Sequence, residues 1–185
     1  MTDPGAVVLH LGGNEERART TREAIRSIGP GRLVVSAEAA PAVVLDLLGG
    51  TTGPLPPRYF DARPWDTVTH FVWLRFDLRI WRTCALYIVT DRAHLRRAVL
   101  VARIILAGSG VRIVGVPHDG PEARRVDPLA RLAKDILRAL WLRLTRHLVY
   151  DRRIRGGRHA ALQAAAIEAT RVGFVVLRHP DGRVG

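Results

Sequence analysis

The feature that most limits what this chain can become is its repeated change of hydrophobic period. "CALYIVT" (Cys84–Thr90) is a nearly continuous apolar run of strand length. Directly after it, Leu95, Ala98, Val99, Ala102, Ile105 and Leu106 recur at the spacing of one helix face. The same alternation runs through the sequence. "GAVVLHL" (Gly5–Leu11), "RLVVS" (Arg32–Ser36), "RYFDA" (Arg58–Ala62) and "VRIVGVP" (Val111–Pro117) read as short strands. Between them lie the polar helix "EERARTTREAIRSIG", stopped at Gly29-Pro30-Gly31, and an Ala-rich helix from about Glu38 to Leu48. A further helix, "DTVTHFVWLRFDLRIW", carries Val68, Phe71, Leu74, Leu78 and Trp81 on one side. Strands that are apolar on both sides need cover on both. The expectation is therefore an α/β fold, a Rossmann-like three-layer sandwich around a mainly parallel sheet of five strands or slightly more.

The chain's 185 residues suit one domain. It is expected to span residues 1–150, with residues 151–185 adding an Ala-rich helix and the apolar run "VGFVVLR". That run is either an edge strand or a segment packed in a partner subunit. Asp127 and Pro128 open a further helix, as N-cap and first helical position. Its apolar face reads as Leu129, Leu132, Ala133, Ile136, Leu140 and Leu144. The plain expectation is that it covers the sheet and leaves Arg131, Lys134, Arg138 and Arg146 solvated. The alternative is a surface that rests on anionic lipid.

The net charge of +12 suggests a nucleic-acid partner. The cations are scattered through every segment, however, and no aromatic residues interleave with a basic cluster, so none is expected. A single cysteine, Cys84, excludes an internal disulfide framework and a cysteine-based zinc site. No uncharged apolar run is long enough to span a bilayer. The first residues show neither a basic n-region nor a small-residue cleavage site, and a cytoplasmic protein is expected.

Ligands of open parallel sheets bind beyond the carboxyl ends of the strands, where the strand order reverses. The residues following each strand are therefore the candidate site. The first strand delivers Gly12, Gly13 and Asn14, then Arg17 in the first helical turn. Two glycines let backbone N–H groups approach an anion at a helix N-terminus. The pattern is neither a dinucleotide fingerprint nor a P-loop. The second strand delivers Ser36, with Glu38 close behind. The third delivers Asp61, then Asp66 and Thr67, either of which serves as an N-cap. The fourth is richest: Thr90 ends it, Asp91 is poised to cap, and His94 and Arg97 lie three apart off the apolar stripe, as a cradle for phosphate or carboxylate. Asp61, Asp66, Asp91 and His94 are the residues from which a metal site would have to come. No spacing supports one, and no metal is expected.

"VTDRAHLRRA" is similar to the T-s-x-x-H-x-x-R-A signature of the YdcF/SanA/ElyC-like bacterial proteins (domain of unknown function 218). "DTVTHF" resembles that family's acidic-Thr-x-x-Asn segment, with His70 at the Asn position. "VVLHLGG" and "RLVVS" resemble its first two strands, with Ala37 where a glycine commonly follows the serine. The resemblance covers about Gly5 to Trp141. It implies a Rossmann-like fold, a link to envelope biogenesis and S-adenosylmethionine as a candidate cofactor. Carried over, the site would use Gly12, Gly13, Ser36, Glu38, Asp66, Thr67, Thr90, His94 and Arg97.

The function expected is binding of a small anionic or nucleotide-like ligand at the strand ends. Whether the protein is an enzyme stays open. His94, Asp66 and Glu38 are the acid/base candidates. The alternative is a non-catalytic, envelope-associated scaffold that docks through its basic C-terminal helix. The oligomeric state is open.

Overall fold

A computed structural model describes residues 3–12, 15–36, 56–64, 66–119, 128–145 and 155–178. The expected second helix, about Glu38 to Leu48, lies outside them, as does Asp127. Among the described residues six strands and five helices follow in chain order. They are β1 (Asp3–His10), α1 (Glu15–Ile28), β2 (Pro30–Ser36), β3 (Arg58–Asp61), α2 (Thr67–Ile80), β4 (Ala85–Asp91), α3 (Arg92–Ile105), β5 (Arg112–His118), α4 (Leu129–Thr145), α5 (Arg155–Arg171) and β6 (Val175–Leu177).

The strands form one sheet in the order β5-β4-β1-β2-β3-β6. Every neighbouring pair is parallel. The run "VGFVVLR" thus supplies a sixth strand on the β3 edge, the first of its two expected fates. From β1 the chain moves outward through β2 and β3, then returns to place β4 on the other side of β1. The strand order therefore reverses between β1 and β4.

Successive residues of each strand feed opposite faces. Val8, Leu33, Val35, Phe60 and Val89 point to the side covered by α1 and α5, where Ala18, Ile25, Ala166 and Phe174 meet them. Val7, Leu9, Val34, Leu86 and Ile88 point to the other side, beneath Phe71, Leu74 and Leu78 of α2 and Ala98, Val101 and Ala102 of α3. The continuous apolar runs are explained by this double burial. At Gly115 of β5, an added Cβ would come 3.0 Å from Leu95, so the missing side chain lets α3 lie close on the strand.

The helix α4 departs from expectation. It packs mainly on α3 rather than on the sheet. Ala139 and Leu142 are its buried residues, whereas Leu129, Leu140 and Leu144, expected inside, are exposed. Ion pairs fix this rotation. Arg97 of α3 holds Asp135 at 2.9 Å, and Arg138 reaches the carboxylate of Asp66 at the start of α2. Periodicity does select one apolar face on this helix, yet most of that face is turned outward. Its charged anchors chose. Among the described residues no helix is long and apolar enough to cross a membrane.

Phe60 is fully buried between β3 and the α5 side. Phe60→Ala should lower stability by about 3–5 kcal/mol in urea unfolding, with little change in the slope of the transition.

Candidate functional site

The carboxyl ends of β1, β4 and β5 come together beside the first turns of α1. Gly12, immediately after β1, has φ 67°, a conformation that favours glycine. Its N–H donates to Ser36 Oγ at 3.1 Å. Ser36 thus ties the end of β2 to the loop after β1. Gly13 and Asn14 of that loop, and Glu38 beyond Ser36, lie outside the described residues.

Arg17 reaches from the first turn of α1 into the point where the strand order reverses. Its guanidinium donates to the Leu11 carbonyl and to the Asp91 carboxylate. Both side chains are buried, at 7% and 4% exposure. Asp91 occupies the N-cap position of α3 yet makes no side-chain cap bond, contrary to the capping role expected of it. The charge-assisted bond to Arg17 engages Oδ2 and orients the carboxylate toward α1.

Two histidines that the sequence reading passed over complete this cluster. His10, the last residue of β1, is fully buried, and its Nδ1 lies 2.7 Å from Thr21 Oγ1. Burial first, then the charge of Arg17, pushes its pKa down to about 3, so the ring is neutral at ordinary pH. His118 ends β5 directly opposite Asp91. Its Nδ1 lies 3.0 Å from Thr20 Oγ1, and its Nε2 is 3.6 Å from Glu16, beyond hydrogen-bond reach. His10 Nε2, Asp91 Oδ1 and His118 Nε2 are all buried with no hydrogen-bond partner. The available signal was a histidine closing an otherwise apolar strand, in "VVLHL" and "VGVPH".

A second polar cluster lies at the end of β3. Asp61 accepts from Arg63 Nε at 2.7 Å and from its Nη2 at 3.1 Å, and Arg63 also binds Asp77 of α2. Burial raises the Asp77 pKa against the pull of Arg63. His70 lies beside Asp61, with 3.7 Å between Nε2 and Oδ2. Burial holds its pKa below the ordinary value although Asp61 pulls the other way. Asp61, Arg63 and Asp77 satisfy one another inside the protein, as a structural network would, while His70 Nε2 is buried there without a hydrogen bond.

The remaining candidates are dispersed. Asp66 is the N-cap of α2, in a capping box with Thr69, and also binds Arg138. Thr67 opens that helix. Thr90 is buried one residue before Asp91. His94 is part-exposed on α3. Arg97, expected to hold an external anion with His94, already holds the chain's own Asp135. The anion that its sequence position suggested is internal. Among the described residues no three His, Cys, Asp or Glu side chains gather as metal ligands.

No family model, curated protein or solved structure matches this chain.

Two outcomes are expected. Removing Arg17 leaves a buried carboxylate uncompensated, so Arg17→Ala should cost about 3–5 kcal/mol in chemical unfolding. His10 is neutral when folded, whereas its unfolded counterpart titrates near 6.5. The unfolded state therefore binds more protons between pH 6.5 and about 3. Stability is complete above that window and falls by about 1.4 kcal/mol per pH unit within it. His10→Gln should make the measured fall shallower. An unchanged slope would show that His10 does not titrate this way.

Proposed function

We propose that this protein binds a small anionic or nucleotide-like ligand at the carboxyl ends of β1, β4 and β5. One observation carries the reading: His10 Nε2, Asp91 Oδ1 and His118 Nε2 are buried without partners at the ends of three adjacent strands. Orphaned buried polar atoms are costly, and a cluster of them asks for a bound group to complete it. The place is where the strand order reverses, which is where open parallel sheets bind ligands. The N-terminal turn of α1 points its free N–H groups there, beside Glu15, Glu16 and the Asp91-paired Arg17.

The roles differ from those the sequence suggested. Arg17, like Arg97, is held by an internal carboxylate, so the groups left for a ligand are the histidines and Asp91 Oδ1, with His118 in place of His94. Asp91 and the histidines are acceptors or donors for ligand hydroxyl or amino groups. Of the residues that the YdcF-like resemblance implies, Gly12, Ser36 and Thr90 lie at this end of the sheet while Arg97 is engaged by Asp135, and S-adenosylmethionine is the cofactor to test first. A cytoplasmic setting and a link to envelope biogenesis belong to the same proposal.

The test is thermal unfolding with S-adenosylmethionine, adenosine monophosphate, a uridine diphosphate sugar and inorganic phosphate. A ligand held at about 100 times its Kd stabilises by about 2.7 kcal/mol, a shift of several degrees. The shift should shrink at least about tenfold in apparent affinity in His118→Ala and persist in Asp135→Ala. No shift with any compound, or one indifferent to His118→Ala, would overturn the proposal.

A further inference from the structure

The outward side of α4 is apolar where water should meet polar groups. Leu129, Leu137, Leu140, Trp141 and Leu144 are all exposed, Trp141 at 55% and Leu144 at 82%. At about 100° per residue they occupy an arc of about 120°, away from the buried Ala139 and Leu142. A helix with two apolar sides is normally covered on both. A contiguous stripe of this kind marks an interaction surface, unlike scattered exposed residues.

The charges around the stripe identify what would cover it. Asp135 is the one carboxylate in α4, and it is turned inward to Arg97. Asp77 is the one carboxylate in α2, held by Arg63, and α3 has none. The exposed charged residues on these three helices are therefore cations: Arg75, Arg79, Arg92 (paired with Asp119 just after β5), Arg96, Arg103, Arg131 and Lys134. Phe76 and Ile80 of α2 are exposed among them. A second copy of this surface would oppose like charges. Nucleic acid would match the charge but leave the leucines in water.

We propose that α4 rests on an anionic lipid surface. Leu137, Leu140, Trp141 and Leu144 enter the boundary of the acyl chains, and Lys134 and Arg131 lie at the level of the phosphates. Trp141 suits that depth, with an apolar ring and a polar N–H. This contact is on the side of the sheet opposite α1, so it does not depend on the strand-end ligand.

Flotation with phosphatidylcholine vesicles, with and without phosphatidylserine, tests the assignment on the full chain. Binding is expected only with phosphatidylserine, and it should weaken as salt rises. Lys134→Glu should reduce partitioning by about tenfold or more. The pair Trp141→Gln and Leu144→Gln should do the same while the melting temperature holds, because both side chains are exposed. Absence of binding to phosphatidylserine vesicles overturns the proposal, as does binding that the double variant leaves intact. Light scattering that shows a dimer dissociated by the double variant would assign the stripe to a second copy instead. RNA binding that survives the double variant, with no vesicle binding, would reassign the cationic layer.

Discussion

The contact between Arg17 and Asp91 sets the arrangement of the site end of the molecule. It joins the first turn of α1 to the last residue of β4 across the reversal of strand order. It also captures the Leu11 carbonyl, so the chain leaving β1 is held by the same guanidinium. A pair this deeply buried gains little net stability from its attraction, because both ions were well solvated beforehand. What it provides is geometry. With Arg17 fixed, Thr20 and Thr21 face the ends of β5 and β1, where they hold the Nδ1 atoms of His118 and His10. The charge of Arg17 in turn helps keep His10 neutral. A hydrophobic replacement of similar shape could fold as well, but it would not present a carboxylate oxygen at the end of β4, between the strands that end in His10 and His118.

Arginine has a comparable use on the other side of the sheet. Arg63 with Asp77, Arg97 with Asp135 and Arg138 with Asp66 each tie one element to another. The guanidinium suits this work because it keeps its charge when half-buried and meets a carboxylate with several donors. The arginine-rich composition is therefore not merely a solvated coat. Its consequence is asymmetry: the carboxylates of α2 and α4 are drawn inward, and the exposed charges of the α2, α3 and α4 layer are cations.

The sheet was legible because strand and helix periods differ so clearly in this sequence. Parallel strands buried on both faces write themselves as apolar runs, as β1, β2 and β4 do, whereas β3, "RYFD", is marked mainly by its place between loop and helix signals. Even the last run, "VGFVVLR", carried enough β-branched character to suggest the edge strand it forms. The rotation of α4 was not legible, because its clearest apolar face is not the side that turns in, and Arg97 and Asp66, distant in sequence, fix the orientation through Asp135 and Arg138. The site was half legible for the same reason. Its place at the strand ends follows from topology, and Gly12, Ser36, Arg17 and Asp91 do lie there. Which cation meets which carboxylate is a tertiary choice. Spacing on α3 singled out His94 and Arg97, but Asp135 on a later helix had already claimed the arginine. His10 and His118 were hidden by their apolar company.

The position of β1 in the sheet has a consequence for how the chain acquires its structure. As the first strand made, it lies in the middle of the sheet, with β2 on one side and β4 on the other. During synthesis β2 follows almost at once, but β4 begins only at Ala85. Until then one hydrogen-bonding edge of β1 stands open, and so do the apolar side chains of "AVVL". Pairings between strands so far apart in sequence form slowly because the loop must close before any contact rewards it. Arg17 waits through the same interval with its carboxylate partner not yet made. The nascent amino-terminal half, β1 through β3, is thus the stretch most exposed to wrong partners, and emergence of the β4 segment ends that exposure.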